Sequence, residues 1–180
     1  DLRFPHNPHQ TEFVVPSDFP LRLPNRVPAE RGVFAANLET AERLYRLARP
    51  GGRYDRALRV LANARRMSPD GLTKSGVILG MGEEWDEILA CMRDLRRSDV
   101  NIITLGQYLR PSDGHLPVAR YYTPDEFAEL HEIGMRMGFS HVQASPLTRS
   151  SYHAWEQARS ASSFGAGTAP DTHSTESRTT

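Results

Sequence analysis

Four short segments hold the side chains best suited to bind a ligand, and each comes directly after an apolar run. They are rich in amide, carboxylate, hydroxyl and glycine: Asn37–Thr40, Gly80–Glu83, Gly106–Tyr108 and Ser145–Pro146. Gly80 and Gly82 would let a ligand approach the backbone near a helix start. The same glycines suit a tight turn between a strand and a helix, so the GxGE pattern leaves both interpretations open.

Two charged residues are candidates for ligand contacts. Lys74 precedes an apolar run and can reach an anionic group, although a solvated lysine at a strand entrance explains it equally well. Glu39 is a candidate functional carboxylate, but an acid in the first turn of a helix needs no function. The basic run from Arg46 to Arg56 is typical of a solvated helix face.

Residues 149–153 (RSSYH) form a polar cluster after the last apolar run. A helix N-cap followed by an aromatic residue explains this cluster as well as a binding role does. The seven histidines show neither HExxH nor another ligand spacing, and the sequence has no P-loop, Ser-His-Asp order or paired-carboxylate signature. Cys91 lies on the apolar side of its predicted helix, which favours a buried structural thiol.

Strand-like and helix-like patterns alternate around these segments, which predicts parallel strands with helices packed outside them. Thr123-Pro124-Asp125-Glu126 predicts an N-cap, a first-turn proline and a capping box, and Gly138 is placed to end that helix. Three or four such units are fewer than a closed eight-unit barrel needs, so we predict an incomplete α/β fold. The predicted strands are 32–37, 75–80, 101–105 and 139–144, and the predicted helices are 40–48, 54–67, 83–97 and 124–137.

Composition limits the class of protein. The chain has 180 residues, and its 22 Lys+Arg balance its 22 Asp+Glu, which predicts no broad attraction to nucleic acid or anionic lipid. No apolar run is long enough to span a membrane. The single cysteine excludes an internal disulfide and a metal site built on several thiolates. The chain begins at Asp1, so we expect a processed protein or a piece of a longer one.

Composition also divides the chain into three parts. Residues 1–31 are rich in proline, which removes a backbone donor, so we predict an extended arm without regular structure. Residues 156–180 consist largely of Ser, Thr, Ala, Gly and Pro, and we predict a disordered tail there. The folded part is predicted to span 32–155.

Together and in this order, these residues resemble the C-terminal half of lipoyl synthase, a radical S-adenosylmethionine (SAM) enzyme. The blocks LGQYL…HLPV…RY and RSSYH are long and specific to this family. The resemblance implies the C-terminal part of a partial (β/α) TIM-type barrel. The matching stretches are NLET (37–40), RLYR (43–46), RPGGRYDRAL (49–58), TKSGVILGMGE (73–83), MRDLR (92–96), TLGQYLRPSDGHLPVARYYTPDEF (104–127), MGFSHV (137–142) and RSSYHA (149–154).

The resemblance implies a mechanism. In this family a 4Fe–4S cluster held by CxxxCxxC cleaves SAM to a 5′-deoxyadenosyl radical. The radical abstracts hydrogens from C6 and C8 of an octanoyl group carried on a protein lysine, and a consumed auxiliary 4Fe–4S cluster donates two sulfur atoms. The implied partners are octanoylated lipoyl carrier domains (2-oxoacid dehydrogenase E2 subunits and the glycine cleavage H protein) and an electron donor such as ferredoxin or flavodoxin. Neither nucleic acid nor membrane is an expected partner, and the implied compartment is the cytoplasm, or the mitochondrion in a eukaryote.

The family's site residues map onto this sequence by motif. Ser151 of the RSSY motif is the implied ligand of the auxiliary cluster, with Arg149 close by, and Ser151→Ala is expected to abolish lipoyl formation while sparing SAM cleavage. Tyr54 and Arg53 are assigned to the octanoyl or carrier-domain side. The implied SAM-pocket residues are Asn37, Glu39, Lys74, Gly80, Glu83 and Gln107.

The sequence also departs from the family. Both cysteine motifs are absent, and Ala36 stands where the family usually has histidine. We therefore expect this chain alone to be inactive and to bind SAM weakly. One alternative is a non-catalytic module that pairs with a separate cysteine-bearing half through an open strand edge at 32–37. Another is a SAM- or phosphate-binding barrel with different chemistry, which rests on the strand-end glycines.

Overall fold

A computed structural model describes residues 33–148 and the backbone of residues 12–14. The predicted tail at 156–180 lies outside the described residues, as do Arg149 and Ser151. In chain order the elements are β1 (Glu12–Val14), β2 (Val33–Ala35), α1 (Glu42–Ala48), α2 (Tyr54–Met67), β3 (Leu72–Leu79), α3 (Trp85–Arg97), β4 (Ile102–Gln107), α4 (Pro124–Arg136) and β5 (His141–Ser145).

The described strands form one sheet in the order β1-β2-β3-β4-β5, and every neighbouring pair is parallel. Strands that follow one another across the sheet in chain order are arranged as in a (β/α) barrel, whereas a doubly wound sheet reverses its order. The prediction of an α/β fold with parallel strands, compatible with part of a TIM-type barrel, is confirmed.

Strand β1 shows that one expectation was wrong. The prolines were expected to exclude regular structure from 1–31, yet Glu12–Val14 pairs with Val33–Ala35. This triplet lies in the proline-free stretch between Pro8 and Pro16, where each residue retains a backbone N–H for pairing. The edge of β2 that was expected to be open is therefore covered by β1.

Local sequence signals explain where the helices begin and end. The spacing of Ala57, Leu61 and Ala64 buries one face of α2, whose bounds match the prediction. Helix α4 begins at the predicted capping box, in which the side chains of Thr123 and Glu126 each accept from the other residue's backbone N–H. Gly138, with φ of 89°, follows its last turn, as predicted.

The two faces of the sheet have different roles. Alternate strand residues, such as Val77, Leu79, Ile103 and Leu105, pack with the helices in one hydrophobic core. The residues between them point to the opposite face, which we call the inner face, because successive side chains of a strand alternate. The inner face carries Lys74, Gly76, Ile78, Thr104 and Gly106, so the helix side supplies the stability and the inner face is left for polar groups. Among the described residues, no helix is both long and apolar enough to cross a bilayer.

Candidate functional site

A cavity of about 680 Å³ lies at the carboxyl ends of β2, β3 and β4. Glu39 borders it after β2, Ile78 and Met81 at the end of β3, and Tyr108 directly after β4. The other wall residues are 47–50, which end α1 and follow it, and Pro111 with residues 114–117 of the loop after β4. Parallel sheets place their ligand sites at this edge, so the position agrees with the prediction that strand-end segments form the site.

The backbone of Glu39 is in the left-handed region, with φ of 72°. Such a conformation costs a residue other than glycine roughly 1–2 kcal/mol. Two hydrogen bonds to β3 hold it there: the Glu39 N–H donates to the Gly76 carbonyl at 2.9 Å, and the Ile78 N–H donates to the Glu39 carbonyl at 2.7 Å. Strained residues of this kind cluster at functional sites, which makes Glu39 a stronger candidate than its sequence position alone did.

Glu39 and Arg49 place opposite charges at one end of the cavity. Arg49 Nη1 lies 3.5 Å from Glu39 Oε1, and both side chains are about three-quarters buried. Burial raises the pKa of the Glu39 carboxyl, while Arg49 and a hydrogen bond from Asn37 act to lower it. A carboxylate beside a guanidinium can bind a ligand that itself carries an ammonium and a carboxylate.

The Gly80–Glu83 turn binds its own carboxylate. The side chain of Glu83 is buried and accepts from the N–H of Gly80 at 2.5 Å and from the N–H of Met81 at 3.0 Å. These are the N–H groups that a phosphate would use at a glycine-rich turn before a helix. Because an anionic side chain already occupies them, the turn is not built as a phosphate cradle, which disfavours the phosphate-binding alternative.

Asn37 and Lys74 lie on the inner face below the cavity. A Cβ added at Gly76 would stand 2.9 Å from Asn37 Oδ1 and 3.0 Å from Thr104 Oγ1, so the glycine leaves room for the Asn37 side chain. Lys74 lies two inner-face positions before Ile78, about 13 Å away along β3. Its side chain is 1% exposed, so the interpretation of Lys74 as a solvated residue at a strand entrance was wrong.

The chain after β5 returns across the inner face. Ser145 and Thr148 form a turn, in which the Thr148 N–H donates to the Ser145 carbonyl and the two hydroxyls lie 2.8 Å apart. The carbonyl oxygen of Thr148 then packs directly against Gly106, where a Cβ would collide with it. The implied cluster ligand, Ser151, follows three residues later, outside the described residues.

Two other assignments fall away from the cavity. The Tyr54 ring packs edge-on against Tyr45 at 5.7 Å, and its hydroxyl donates to Asp94 Oδ2 at 3.1 Å, within the core on the helix side. Arg53, the residue before α2, is largely exposed and pairs with Asp55 in the first turn of that helix. The assignment of Tyr54 and Arg53 to the octanoyl or carrier-domain side stays a prediction.

The implied SAM residues thus differ in what their side chains contact. Glu39 borders the cavity, and the Asn37 side chain hydrogen-bonds to the Glu39 carboxyl. The side chains of Glu83 and Gln107 instead bond to backbone groups of neighbouring segments. Tyr108 belongs to the strand-end segment Gly106–Tyr108 that the sequence singled out, and it lines the cavity. Sequence reasoning missed Arg49 as a wall residue, because its approach to Glu39 depends on the turn after α1.

The donors in the described part of the chain do not fit an iron–sulfur cluster. No group of three or more His, Cys, Asp or Glu side chains is arranged there to hold a metal ion. Cys91 is buried on α3, and burial raises the pKa of its thiol to about 11. A cysteine binds a cluster as its thiolate, so Cys91 does not serve as a ligand, and the prediction of a buried structural thiol is confirmed.

Known proteins resemble this chain closely over much of its length, although no protein-family model matches it. Lipoyl synthase of Rubrobacter xylanophilus is 53% identical over 135 residues, which cover 75% of this chain and 42% of that protein. Lipoyl synthase of Bacillus cytotoxicus is 49% identical over 160 residues, with coverage of 86% and 53%. Lipoyl synthase of Idiomarina loihiensis is 50% identical over 153 residues, with coverage of 83% and 47%.

The chain spans about half the length of the curated relatives it matches. The matched residues include the strand ends that form the cavity, and the parallel sheet agrees with the partial barrel that the resemblance implies. The chain belongs to the lipoyl synthase family, of which it represents a C-terminal portion.

Proposed function

We propose that this chain supplies the C-terminal part of a lipoyl synthase, and that its strand-end cavity forms part of the SAM site. The observation that carries the proposal is the cavity itself, which joins a charged end at Glu39 and Arg49 to an apolar wall at Ile78, Met81 and Tyr108. SAM has the same division, because a zwitterionic methionyl group is joined to a flat adenine. The volume of about 680 Å³ is within the range of small-molecule sites.

The charges assign an orientation to the ligand. Glu39 would accept hydrogen bonds from the methionyl ammonium, and Arg49 would donate to the methionyl carboxylate. Ile78, Met81 and Tyr108 would bury the adenine and exclude water from that end. When bound, SAM supplies the radical precursor of the reaction, whereas the residues of this chain bind and orient it.

A second part of the proposal concerns Ser151. Thr148 lies against Gly106 on the inner face, and three residues of chain span at most about 11 Å. This reach supports Ser151 as a cluster ligand near the inner face. The cysteines that a cluster needs are not in this chain, whose single thiol is buried, so sulfur insertion into protein-bound octanoyl groups is proposed for a whole enzyme only.

An NMR titration tests the cavity proposal. SAM added to the ¹⁵N-labelled chain up to millimolar concentration should shift the backbone amides of Glu39, Ile78 and Tyr108. We expect Arg49→Met to remove most of these shifts, because the carboxylate loses its cation. Arg53→Met is the matched control, since among the described residues Arg53 pairs with the adjacent Asp55, and it should leave the shifts unchanged.

The outcomes that contradict the proposal are specific. If SAM produces no shifts, or shifts confined to residues away from the strand ends, the cavity is not a SAM site. Equal shifts in Arg49→Met and Arg53→Met would remove the assigned orientation. Titration with inorganic phosphate should leave Gly80 and Met81 unshifted, because Glu83 occupies their N–H groups.

One observation favours a second candidate, a non-catalytic module that pairs with a cysteine-bearing polypeptide. In the described sheet β5 is the last strand, and its outer edge has unpaired backbone groups that another strand can bind. Co-expression with the N-terminal half of a lipoyl synthase, followed by size-exclusion chromatography, separates the candidates. A one-to-one complex that forms no lipoyl groups supports the module, whereas a complex that does form them supports the enzyme.

A further inference from the structure

The side-chain amide of Gln107 forms hydrogen bonds with the loop that borders the cavity. Nε2 donates to the carbonyl oxygens of Tyr108 at 3.2 Å and of Arg120 at 3.0 Å. Oε1 accepts from the N–H of Tyr122 at 2.9 Å. An amide nitrogen has two hydrogens to donate, so both donors of Gln107 are used.

Residues 108–122, which we call the wall loop, are tied to the sheet at both ends. The Tyr108 N–H donates to the Leu79 carbonyl at 2.7 Å, and the Ala119 N–H donates to the Gly80 carbonyl at 2.7 Å. Within the loop, the Tyr108 hydroxyl donates to the Leu116 carbonyl at 2.9 Å. The Gln107 amide joins both halves of this arrangement, because it bonds to the first residue of the loop and to its last turn.

Gly80 makes this close approach possible. A Cβ at Gly80 would collide with Gln107 Nε2 and lie 2.6 Å from the Arg120 carbonyl oxygen, and its φ of 115° suits only glycine. Gln107 is 4% exposed. A buried amide is costly unless it is hydrogen-bonded, so opening the wall loop would leave this side chain unsatisfied.

We propose that Gln107 is a positioning residue, which holds the wall loop closed as one side of the cavity and does not itself bind the ligand. The wall loop brings Tyr108, Pro111 and residues 114–117 to the cavity. The inference rests on the proposed function for the identity of the ligand, SAM. The role of Gln107 in holding the wall loop does not depend on which ligand the cavity binds.

Gln107→Glu tests the hold with almost no change in shape. At pH 8 the carboxylate has no hydrogen to donate, and its charge faces the carbonyls of Tyr108 and Arg120. The hydrogen bonds to the carbonyls of Tyr108 and Arg120 are lost, so the wall loop opens more often. We therefore expect hydrogen exchange at the amides of Ala119 and Tyr122 to accelerate at least about tenfold. Amides of β4 at residues 103–105 should keep their protection.

A pH series distinguishes positioning from general damage to the fold. Protonation of the introduced carboxyl restores one donor, and burial beside two carbonyls raises its pKa above the ordinary value. Protection at Ala119 and Tyr122, corrected for the intrinsic exchange rate, should therefore recover in part between pH 8 and pH 5. Gln107→Met, which fills the same volume without a donor, should accelerate exchange at both pH values.

The matched control is Gln143→Glu, the same chemical change on β5. Gln143 lies on the neighbouring strand in register with Thr104, three residues before Gln107, so exchange at Ala119 and Tyr122 should stay as in the wild type. Unchanged exchange at these two amides in Gln107→Glu, with β4 still protected, overturns the proposal. If Gln107→Glu also removes the protection of the β4 amides, its fold is damaged and Gln107→Met takes its place. Unchanged exchange at Ala119 and Tyr122 in Gln107→Met then overturns the proposal.

SAM titration completes the test. In Gln107→Glu at pH 8, SAM-induced shifts at Glu39 and Ile78 should need at least about tenfold more SAM than in the wild type, and this loss should diminish at lower pH. Faster exchange with unchanged SAM shifts would show that the wall loop is not part of the ligand site, which overturns the proposal. Absence of SAM shifts in the wild type contradicts the proposed function instead, and exchange alone then decides the role of Gln107.

Discussion

Glu39 combines three properties that seldom occur together in one residue. Its backbone is in the left-handed region, its carboxyl is largely buried, and it borders the cavity beside Arg49. The strain and the burial both oppose folding, so the residue is better suited to a ligand than to stability. The sequence predicted the carboxylate at a strand end but not the strained backbone, because a positive φ at a glutamate depends on its hydrogen bonds to β3.

This reasoning predicts that Glu39→Gly does not destabilise the protein. Glycine adopts φ of 72° without strain, which offsets the greater entropy of its unfolded chain, and the buried carboxylate is removed. We expect the free energy of unfolding, measured by urea denaturation, to stay level or to rise by up to about 1 kcal/mol. SAM-induced amide shifts should disappear in the same variant.

The control is Glu132→Gly in the exposed middle of α4, where glycine should cost about 1 kcal/mol. If the free energy of unfolding falls as far in Glu39→Gly as in Glu132→Gly, Glu39 contributes ordinary structural contacts and the prediction is wrong. Tm by differential scanning calorimetry gives a second measurement of the same comparison.

Strand β5 carries a half-buried histidine, His141, whose environment disfavours its charged form. Burial lowers the pKa of His141, and the nearby positive charges of His131 on α4 and Lys74 on β3 lower it further. Within the described residues its Nε2 is buried without a hydrogen-bond partner. Between the lowered pKa and the ordinary value near 6.5, the unfolded chain binds more protons than the folded chain does.

Stability should therefore rise with pH through this window and be lost as pH falls below about 6.5. His141→Phe keeps a ring in the strand and removes the titration. We expect the difference in free energy of unfolding between pH 7.5 and pH 5, measured in urea, to be smaller in His141→Phe than in the wild type. His115→Asn, at an exposed loop histidine, should keep the wild-type difference, and an unchanged difference in His141→Phe would exclude His141 as a source of acid sensitivity.

At the scale of the whole molecule, Cys91 reports on the core that joins α1, α2 and α3. Its sulfur lies 4.0 Å from the Thr40 carbonyl oxygen, and the neighbouring Tyr54 hydroxyl reaches Asp94 on the same helix. With the thiol pKa raised to about 11, little thiolate is present at pH 8. The residue is also 2% exposed, so a reagent reaches it only when the core opens.

We predict that iodoacetamide labels the native chain at pH 8 at least roughly 100-fold more slowly than the chain in 6 M urea. Mass spectrometry counts one label at most, because Cys91 is the only cysteine. Labelling of the native chain at the rate of the unfolded chain would mean that the thiol is accessible, and the argument against Cys91 as a buried structural residue would fail.

The sequence by itself determined the order of strands and helices from β2 to β5, the capping of α4, the burial of Cys91 and the edge of the sheet where the cavity lies. These features depend on local periodicity and on nearby residues, which one sequence displays directly. Family motifs added the likeness to lipoyl synthases, which the relatives bear out.

Only the tertiary structure decided which strand-end residues border the cavity and which hold it in place. Glu83 and Gln107 look like Glu39 in sequence, since all three are polar and follow apolar runs. The first two use their side chains on neighbouring backbone, whereas Glu39 shares the cavity with Arg49. That difference depends on contacts between segments far apart in the chain, and the pairing of Glu12–Val14 with β2 depends on such contacts as well. Hydrogen-bond geometry across the fold, and not residue type, determines whether a polar strand-end residue borders the cavity and whether a short segment pairs as a strand.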